Sequence, residues 1–197
     1  MMKKRAVFLD RDGTINKDVG FPGSFELIDI YPYSFEAVKK INTAGLLAVI
    51  VTNQSGVGRG FIDIENLHDI HQKLKEVFAL YDAYFDGIYY CPHYLSSSLP
   101  EYNKNCQCRK PFPGMAYQAA SDLDIDLEHS YMVGDKLEDV LFGLNIKAQP
   151  ILVLTGFGKK TLLQLKKKSV KPAYVATTLI DAVNWILIKE NTGSKGG

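Results

Sequence analysis

Apolar and polar positions alternate along the chain in two distinct rhythms. Continuous apolar runs, apolar on both faces, mark buried strands at Arg5–Leu9, at Leu46–Val51 ending on Thr52, at Phe85–Tyr90, at Tyr131–Val133 and at Ile151–Leu154. A short one follows at Tyr174–Val175. Between them, apolar residues recur three or four apart. Ser34–Ala44 carries Phe35, Val38 and Ile41 and stops at Gly45. Asp63 opens a helix through Tyr81 that lines up Leu67, Ile70, Leu74, Val77 and Phe78. Pro113, suited to a first helical turn, starts a helix to about Leu123, and Lys136–Leu144 and Leu179–Lys189 supply two more. Strands alternating with helices specify an α/β fold, a Rossmann-like parallel sheet with helices on both faces.

In such sheets ligands gather beyond the carboxyl ends of the strands. Those ends carry Asp10 and Asp12, then Thr52 and Asn53, then Asp135. Asp10 and Asp12 are two apart, so in extended chain both face one space while Arg11 faces away, and Gly13 permits a sharp turn. Asp135 also follows a glycine. Carboxylates brought together repel unless a cation compensates them, and oxygen donors suit Mg²⁺, with phosphate chemistry as the expected use.

The segment from Cys91 to Pro111 has neither rhythm, which in a compact domain points to a functional loop. Cys91 and His93 are two apart, as are Cys106 and Cys108, and these use all three cysteines of the chain. Each pair can grip one ion, and together they make a closed Cys₃His set suited to structural Zn²⁺. Arg109 and Lys110 follow at once, so a folded loop would aim two cations at the crevice.

Composition narrows the picture further. A chain of 197 residues with formal net charge +1 fits one domain, expected over residues 1–190 with a zinc loop at 91–108. Residues 191–197, rich in Gly, Ser and Lys, read as a flexible tail. The charge balance gives no pull toward nucleic acid or an anionic membrane, and no apolar run reaches a bilayer's thickness. Without a signal peptide, the expectation is a cytoplasmic protein, monomeric by default, because no apolar surface stripe demands a dimer. Gly56–Gly60 lacks the Gly-Lys-Ser/Thr of a nucleotide loop and reads as a turn, with Arg59 as a minor candidate. His68, His71 and His129 read as surface residues, Tyr89 and Tyr90 as strand packing, Trp185 as packing on the sheet, and Lys166–Lys168 as a solvated helix end.

Asp10-Arg11-Asp12-Gly13-Thr14 resembles the first motif of the haloacid dehalogenase superfamily of phosphotransferases, and Thr52, Lys110 and Gly134-Asp135 with Asp139 resemble its second, third and fourth. The resemblance implies that Asp10 attacks phosphorus to form an aspartyl phosphate and that Asp12 serves as acid and then base. It implies that Thr52 and Lys110 bind the transferred group, and that Asp10, the Asp12 carbonyl and Asp135 hold Mg²⁺, with Asp139 behind them. The zinc loop followed by Cys108-Arg109-Lys110-Pro111, together with Thr52–Gly56, Gly87–His93 and Ser130–Asp139, is similar to the heptose 1,7-bisphosphate 7-phosphatases within the histidinol-phosphatase-like subgroup. That resemblance implies a sugar bisphosphate substrate contacted by Asp18, Val19, Gly20, Phe21, Asn53, Gln54, Ser55, Arg109 and Lys136. Arg109 is the selectivity candidate, since a planar guanidinium can grip a second phosphate. No large cap domain is expected. Histidinol phosphate is the competing substrate; a signalling receiver and a zinc-stabilised binding module are the competing classes.

Overall fold

The computed structural model describes residues 3–193. Six strands form one sheet in the order β3-β2-β1-β4-β5-β6. They are β1 (Ala6–Leu9), β2 (Leu47–Asn53), β3 (Gly87–Cys91), β4 (Tyr131–Gly134), β5 (Gln149–Val153) and β6 (Tyr174–Ala176), and every pairing is parallel. The Rossmann-like expectation holds. All strands read from the apolar runs are present, with ends shifted by a residue or two.

The helices are α1 (Tyr33–Thr43), α2 (Ser55–Gly58), α3 (Ile64–Ala79), α4 (Gly114–Leu123), α5 (Leu137–Asn145), α6 (Gly158–Lys168) and α7 (Leu179–Gly193). Val7 and Leu9 of β1 face a core shared with α1, α3 and α7, through Val38, Phe78 and Val183 among others. Ala6 and Phe8 face the opposite core, with Met115 and Ala116 of α4 and Phe142 of α5. The period of two in the strand thus divides its side chains between two helical layers. Leu165 of α6 packs with Val140 and Leu152 beside that second layer. Trp185 stacks on Tyr174 of β6 at 4.9 Å, as expected of a residue packing on the sheet.

Three differences from the sequence reading have physical causes. Helix α6 has only Gly158, Thr161 and Leu165 buried, too few apolar positions for the chain pattern to reveal more than its lysine-rich end. The last helix runs through Gly193, past the expected tail start at 191; residues 194–197 lie outside the described residues. The third is His71, expected on the surface: it is 7% exposed, on the inner side of α3. Among the described residues no helix is long and apolar enough to cross a membrane, and no separate cap domain covers the carboxyl ends of the strands.

Candidate active site

Strand β1 sits where the strand order turns, with β2 on one side and β4 on the other. Loops leaving β1 therefore open into the crevice between diverging neighbours. Asp10 ends β1 and donates its backbone N–H to Val133 O of β4 (2.9 Å). The chain then bends tightly, with Thr14, Ile15 and Asn16 all donating backbone N–H groups to Arg11 O. Gly13 makes the bend possible: its φ is +94°, and a Cβ there would collide with the Asp135 carboxylate.

A cavity of about 270 Å³ opens at this point. Its lining includes Asp10, Asp12, Thr52 and Lys110 together with Asp18, Gly20, Phe21, Asn53, Gln54, Ser55, Arg109 and Lys136. Val19 is outside the lining and 45% exposed. Asp135 lies deeper, fully buried beneath the cavity floor. Glu138 also lines the cavity, a residue absent from the sequence-predicted contacts, since a lone acid in the first turn of a helix carries no motif of its own.

Three carboxylates, those of Asp10, Asp135 and Asp139, converge to within 4.8 Å of one another. Lys110, itself 3% exposed, answers two of them: its Nζ lies 2.8 Å from Asp10 Oδ1 and 2.6 Å from Asp139 Oδ1, and donates to Val51 O at 2.8 Å. Burial works against the ammonium charge, but the two aspartates outweigh it and hold Lys110 protonated. Asp139 also accepts the Lys136 backbone N–H (2.9 Å) as the first-turn partner of α5. Asp135 Oδ2 accepts the Phe157 N–H at 2.7 Å, while its Oδ1 is buried with no partner among the described residues. Burial first, then Asp10 and Asp139, push the Asp135 carboxyl up. A buried, orphaned carboxylate oxygen beside two further carboxylates is what a hard divalent cation would satisfy, so these residues fit Mg²⁺.

Asp12 lines the cavity beside Asp10, as the spacing of two implied, but Arg11 does not face away. The Arg11 guanidinium, 1% exposed, curls back onto the Asp12 carboxylate: Nε donates to Oδ1 at 3.1 Å and Nη2 to Oδ2 at 2.9 Å. Alternation of side chains is a property of extended backbone, and the chain has already left β1 for the bend. Asn16 Nδ2 donates to Asp12 Oδ1 (2.9 Å) and Gln54 Nε2 to Asp12 Oδ2 (2.8 Å). Burial would raise the Asp12 carboxyl, but the Arg11 charge and these bonds outweigh it and leave it below its ordinary value.

Two expected contacts are occupied from within. Asn53 clamps the main chain of Lys110, accepting its N–H (2.9 Å) and donating to its carbonyl (3.2 Å). Gln54 Nε2 also donates to Thr52 Oγ1 (2.8 Å), and its Oε1 accepts from Arg11 (3.1 Å). Asp18 accepts from Lys136 Nζ at 3.0 Å, and Lys136 reaches toward the Asp12 carbonyl at 3.4 Å. The Arg109 guanidinium donates to His93 O (3.4 Å) from the cavity wall. Arg59 lies over the Tyr94 ring, 3.7 Å from its centroid, outside the lining.

The cysteine loop closes as its spacing anticipated. Cys91 Sγ lies 3.4 Å from Cys106 Sγ, 3.1 Å from Cys108 Sγ and 3.5 Å from His93 Nδ1, and the latter is 3.1 Å from Cys108 Sγ. These sulfurs are too far apart for a disulfide bond, and all three cysteines are free. A cluster of three sulfurs and one imidazole nitrogen fits a tetrahedral Zn²⁺ site. The loop is tied to α4 through Gly114, whose N–H donates to Gln107 O at 2.8 Å. Any Cβ at Gly114 would meet that carbonyl oxygen at 2.5 Å, so only glycine lets the helix start this close.

The HAD-hydrolase-like family model matches residues 107–182. The D-glycero-D-manno-heptose-1,7-bisphosphate 7-phosphatase of Thermosynechococcus vestitus is 38% identical over 192 residues, covering 94% of this chain and 96% of that protein. The D-glycero-beta-D-manno-heptose-1,7-bisphosphate 7-phosphatase of Haemophilus ducreyi is 39% identical, covering 94% and 100%. A crystal structure of the D,D-heptose 1,7-bisphosphate phosphatase of B. bronchiseptica, complexed with magnesium and phosphate, superposes with a TM-score of 0.83. It is 33% identical, covering 94% of this chain and 99% of that one.

Proposed function

The chain belongs to the heptose-1,7-bisphosphate 7-phosphatase family of haloacid-dehalogenase-like phosphatases, and from that premise we propose that it removes the 7-phosphate of D-glycero-D-manno-heptose 1,7-bisphosphate through an aspartyl phosphate on Asp10. The observation that carries this reading is the floor of the crevice: the buried Asp10–Lys110–Asp139 triplet set against Asp135, whose Oδ1 has no protein partner. Mg²⁺, held by Asp10, the Asp12 carbonyl and Asp135, would neutralise phosphoryl oxygens so that a carboxylate can approach an anion.

The remaining chemistry belongs to side chains. Lys110 and Thr52 hold the phosphoryl group. Asp10 attacks phosphorus in line, the bond from phosphorus to O7 breaks, and Asp12 delivers a proton to O7. Asp12 then takes a proton from the water that attacks the phospho-aspartate, releasing inorganic phosphate and restoring Asp10. The bonds from Arg11, Asn16 and Gln54 favour the ionised form needed as base, and an approaching substrate dianion favours the protonated form needed as acid. Arg109 and Lys136 offer cationic contacts for the rest of the substrate, while Asp18 keeps Lys136 oriented. The Cys₃His cluster binds zinc in a structural role, holding the segment that ends in Arg109 and Lys110. The β anomer is the expected preference, in line with the name of the Haemophilus relative.

The test is phosphate release with Mg²⁺ from the α and β anomers of heptose 1,7-bisphosphate, beside histidinol phosphate and fructose 1,6-bisphosphate. A large kcat/KM preference for a heptose anomer is expected. Preference for histidinol phosphate would retain the aspartate chemistry and remove the selectivity assigned to Arg109.

A further inference from the structure

Among the described residues Arg11 is the largest fully buried side chain, and it stands between Asp10 and Asp12 in the sequence. Its donors are nearly all spent on orienting Asp12: Nε and Nη2 on the carboxylate, and Nη2 also on Gln54 Oε1. The remaining branch, Nη1, meets His71 Nε2 at 3.4 Å. His71 comes from α3, sixty residues along the chain, and packs beneath the Tyr90 ring at 5.6 Å.

The chemistry of this contact allows one arrangement. A guanidinium has donors only, so Nε2 must present a lone pair, and the imidazole is neutral with its proton on Nδ1. Burial, then the Arg11 charge, support the same state by pulling the His71 pKa down to about 3. The guanidinium is planar and rigid, and holding it at Nη1 as well as at Nε and Nη2 stops it turning about its Cδ–Nε bond, so the orientation passed to Asp12 is set from two sides.

We propose that His71 is a positioning residue for proton transfer, acting through Arg11 on the Asp12 carboxylate. The inference rests on the reading of Asp12 as acid and base. It predicts a loss confined to steps that need that proton. The sugar alkoxide leaving group needs it; p-nitrophenolate does not. Since kcat/KM reports events up to formation of the phospho-aspartate, the two substrates separate the role.

The experiment compares His71→Leu, His71→Asn and His71→Gln on heptose 1,7-bisphosphate and on p-nitrophenyl phosphate, alone and with Asp12→Asn. Leucine has no acceptor, and the asparagine amide reaches only as far as Nδ1, so both lose kcat/KM on the sugar substrate by about 10- to 100-fold. On p-nitrophenyl phosphate they lose less than about threefold. Gln, whose Oε1 reaches as far as Nε2, recovers most of the loss. Added to Asp12→Asn, His71→Leu has no further effect. Equal losses on both substrates, or losses that add to those of Asp12→Asn, overturn the proposal and leave His71 a packing residue. If Asp12→Asn kept full turnover, the acid/base reading itself would fall and this proposal with it. The asparagine variant keeps the test open should leucine fail to fold.

Discussion

The ammonium of Lys110 lies 2.8 Å from the carboxylate of Asp10, across a hundred residues of chain, with both side chains at most 5% exposed. The lysine's other carboxylate, Asp139, is as deeply buried. One cation thus serves two anions in a site where a third carboxylate, Asp135, lies within 4.8 Å of both and, among the described residues, forms no ion pair. The consequences can be measured.

Lys110→Met should be inactive, and it should also destabilise the metal-free protein by about 3 to 5 kcal/mol, the usual cost of removing one partner from a buried ion pair. Urea denaturation with and without Mg²⁺ checks this. A variant as stable as the parent would mean that the aspartates are already neutral without Lys110.

Asp135→Asn should abolish turnover and yet steady the metal-free fold. A carboxyl raised in the folded state binds more protons there than in the unfolded chain, so stability falls as pH rises through the window between the two pKa values. Asparagine has no such proton to lose. Thermal midpoints at pH 6 and pH 8.5 should therefore diverge less in the variant. Added Mg²⁺ should raise the parent's midpoint and leave the variant's unchanged; equal shifts in both would remove Asp135 from the metal site.

Cys106→Ser should lose bound zinc, measured by elemental analysis, and about 10- to 100-fold in kcat/KM, because the segment that carries Arg109 and Lys110 is loosened. The sheet should persist in far-UV circular dichroism. Asn53 still holds the Lys110 main chain through two hydrogen bonds, so activity should be reduced without being abolished. Full activity with full zinc content would separate the cluster from the site.

Arg109→Met should raise KM for heptose 1,7-bisphosphate about tenfold while leaving KM for heptose 7-phosphate within about twofold, if its fork meets the second phosphate. Parallel rises for both substrates would assign Arg109 to the transferred group instead.

His71 sets the sign of a separate pH effect. Its pKa is lowered to about 3 by burial and by Arg11, against Asp12, with His68 and Lys75 adding to the lowering. The unfolded chain takes up the proton near pH 6.5, so the neutral imidazole's contribution is complete above that value and is lost as pH falls toward 3. His71→Gln should flatten the fall of the thermal midpoint between pH 7 and pH 4. An unchanged slope would show that other groups govern acid unfolding.

Much of this was legible along the chain. Strand residues such as Val7–Leu9 and Ala48–Val51 are buried on both sides, and burial on both faces writes itself as an unbroken apolar run. The cysteine-loop pairs Cys91/His93 and Cys106/Cys108 were equally readable, because each is a local spacing. The Arg11–His71 contact, the Asn53 clamp on Lys110 and the capture of Asp12 by Gln54 were not. Each joins segments far apart in sequence through polar side chains, and a buried polar residue leaves no periodic signature that distinguishes it from a surface one.

The sequence by itself determined all six strands and most of the helices, that they stack as a parallel sheet, and which acidic and sulfur side chains stand at the strand ends and in the cysteine loop, because all of these follow from local periodicity and spacing. Only the tertiary structure decided what each side chain does with its remaining bonds. The bend after Leu9 turned Arg11 inward onto Asp12, helix α3 brought His71 beneath it, and β4 left one oxygen of Asp135 unanswered. Hydrogen bonds are short and directional, so their partners are settled by where distant backbone lies to within an ångström, and the order of residues along one strand or helix does not carry that information.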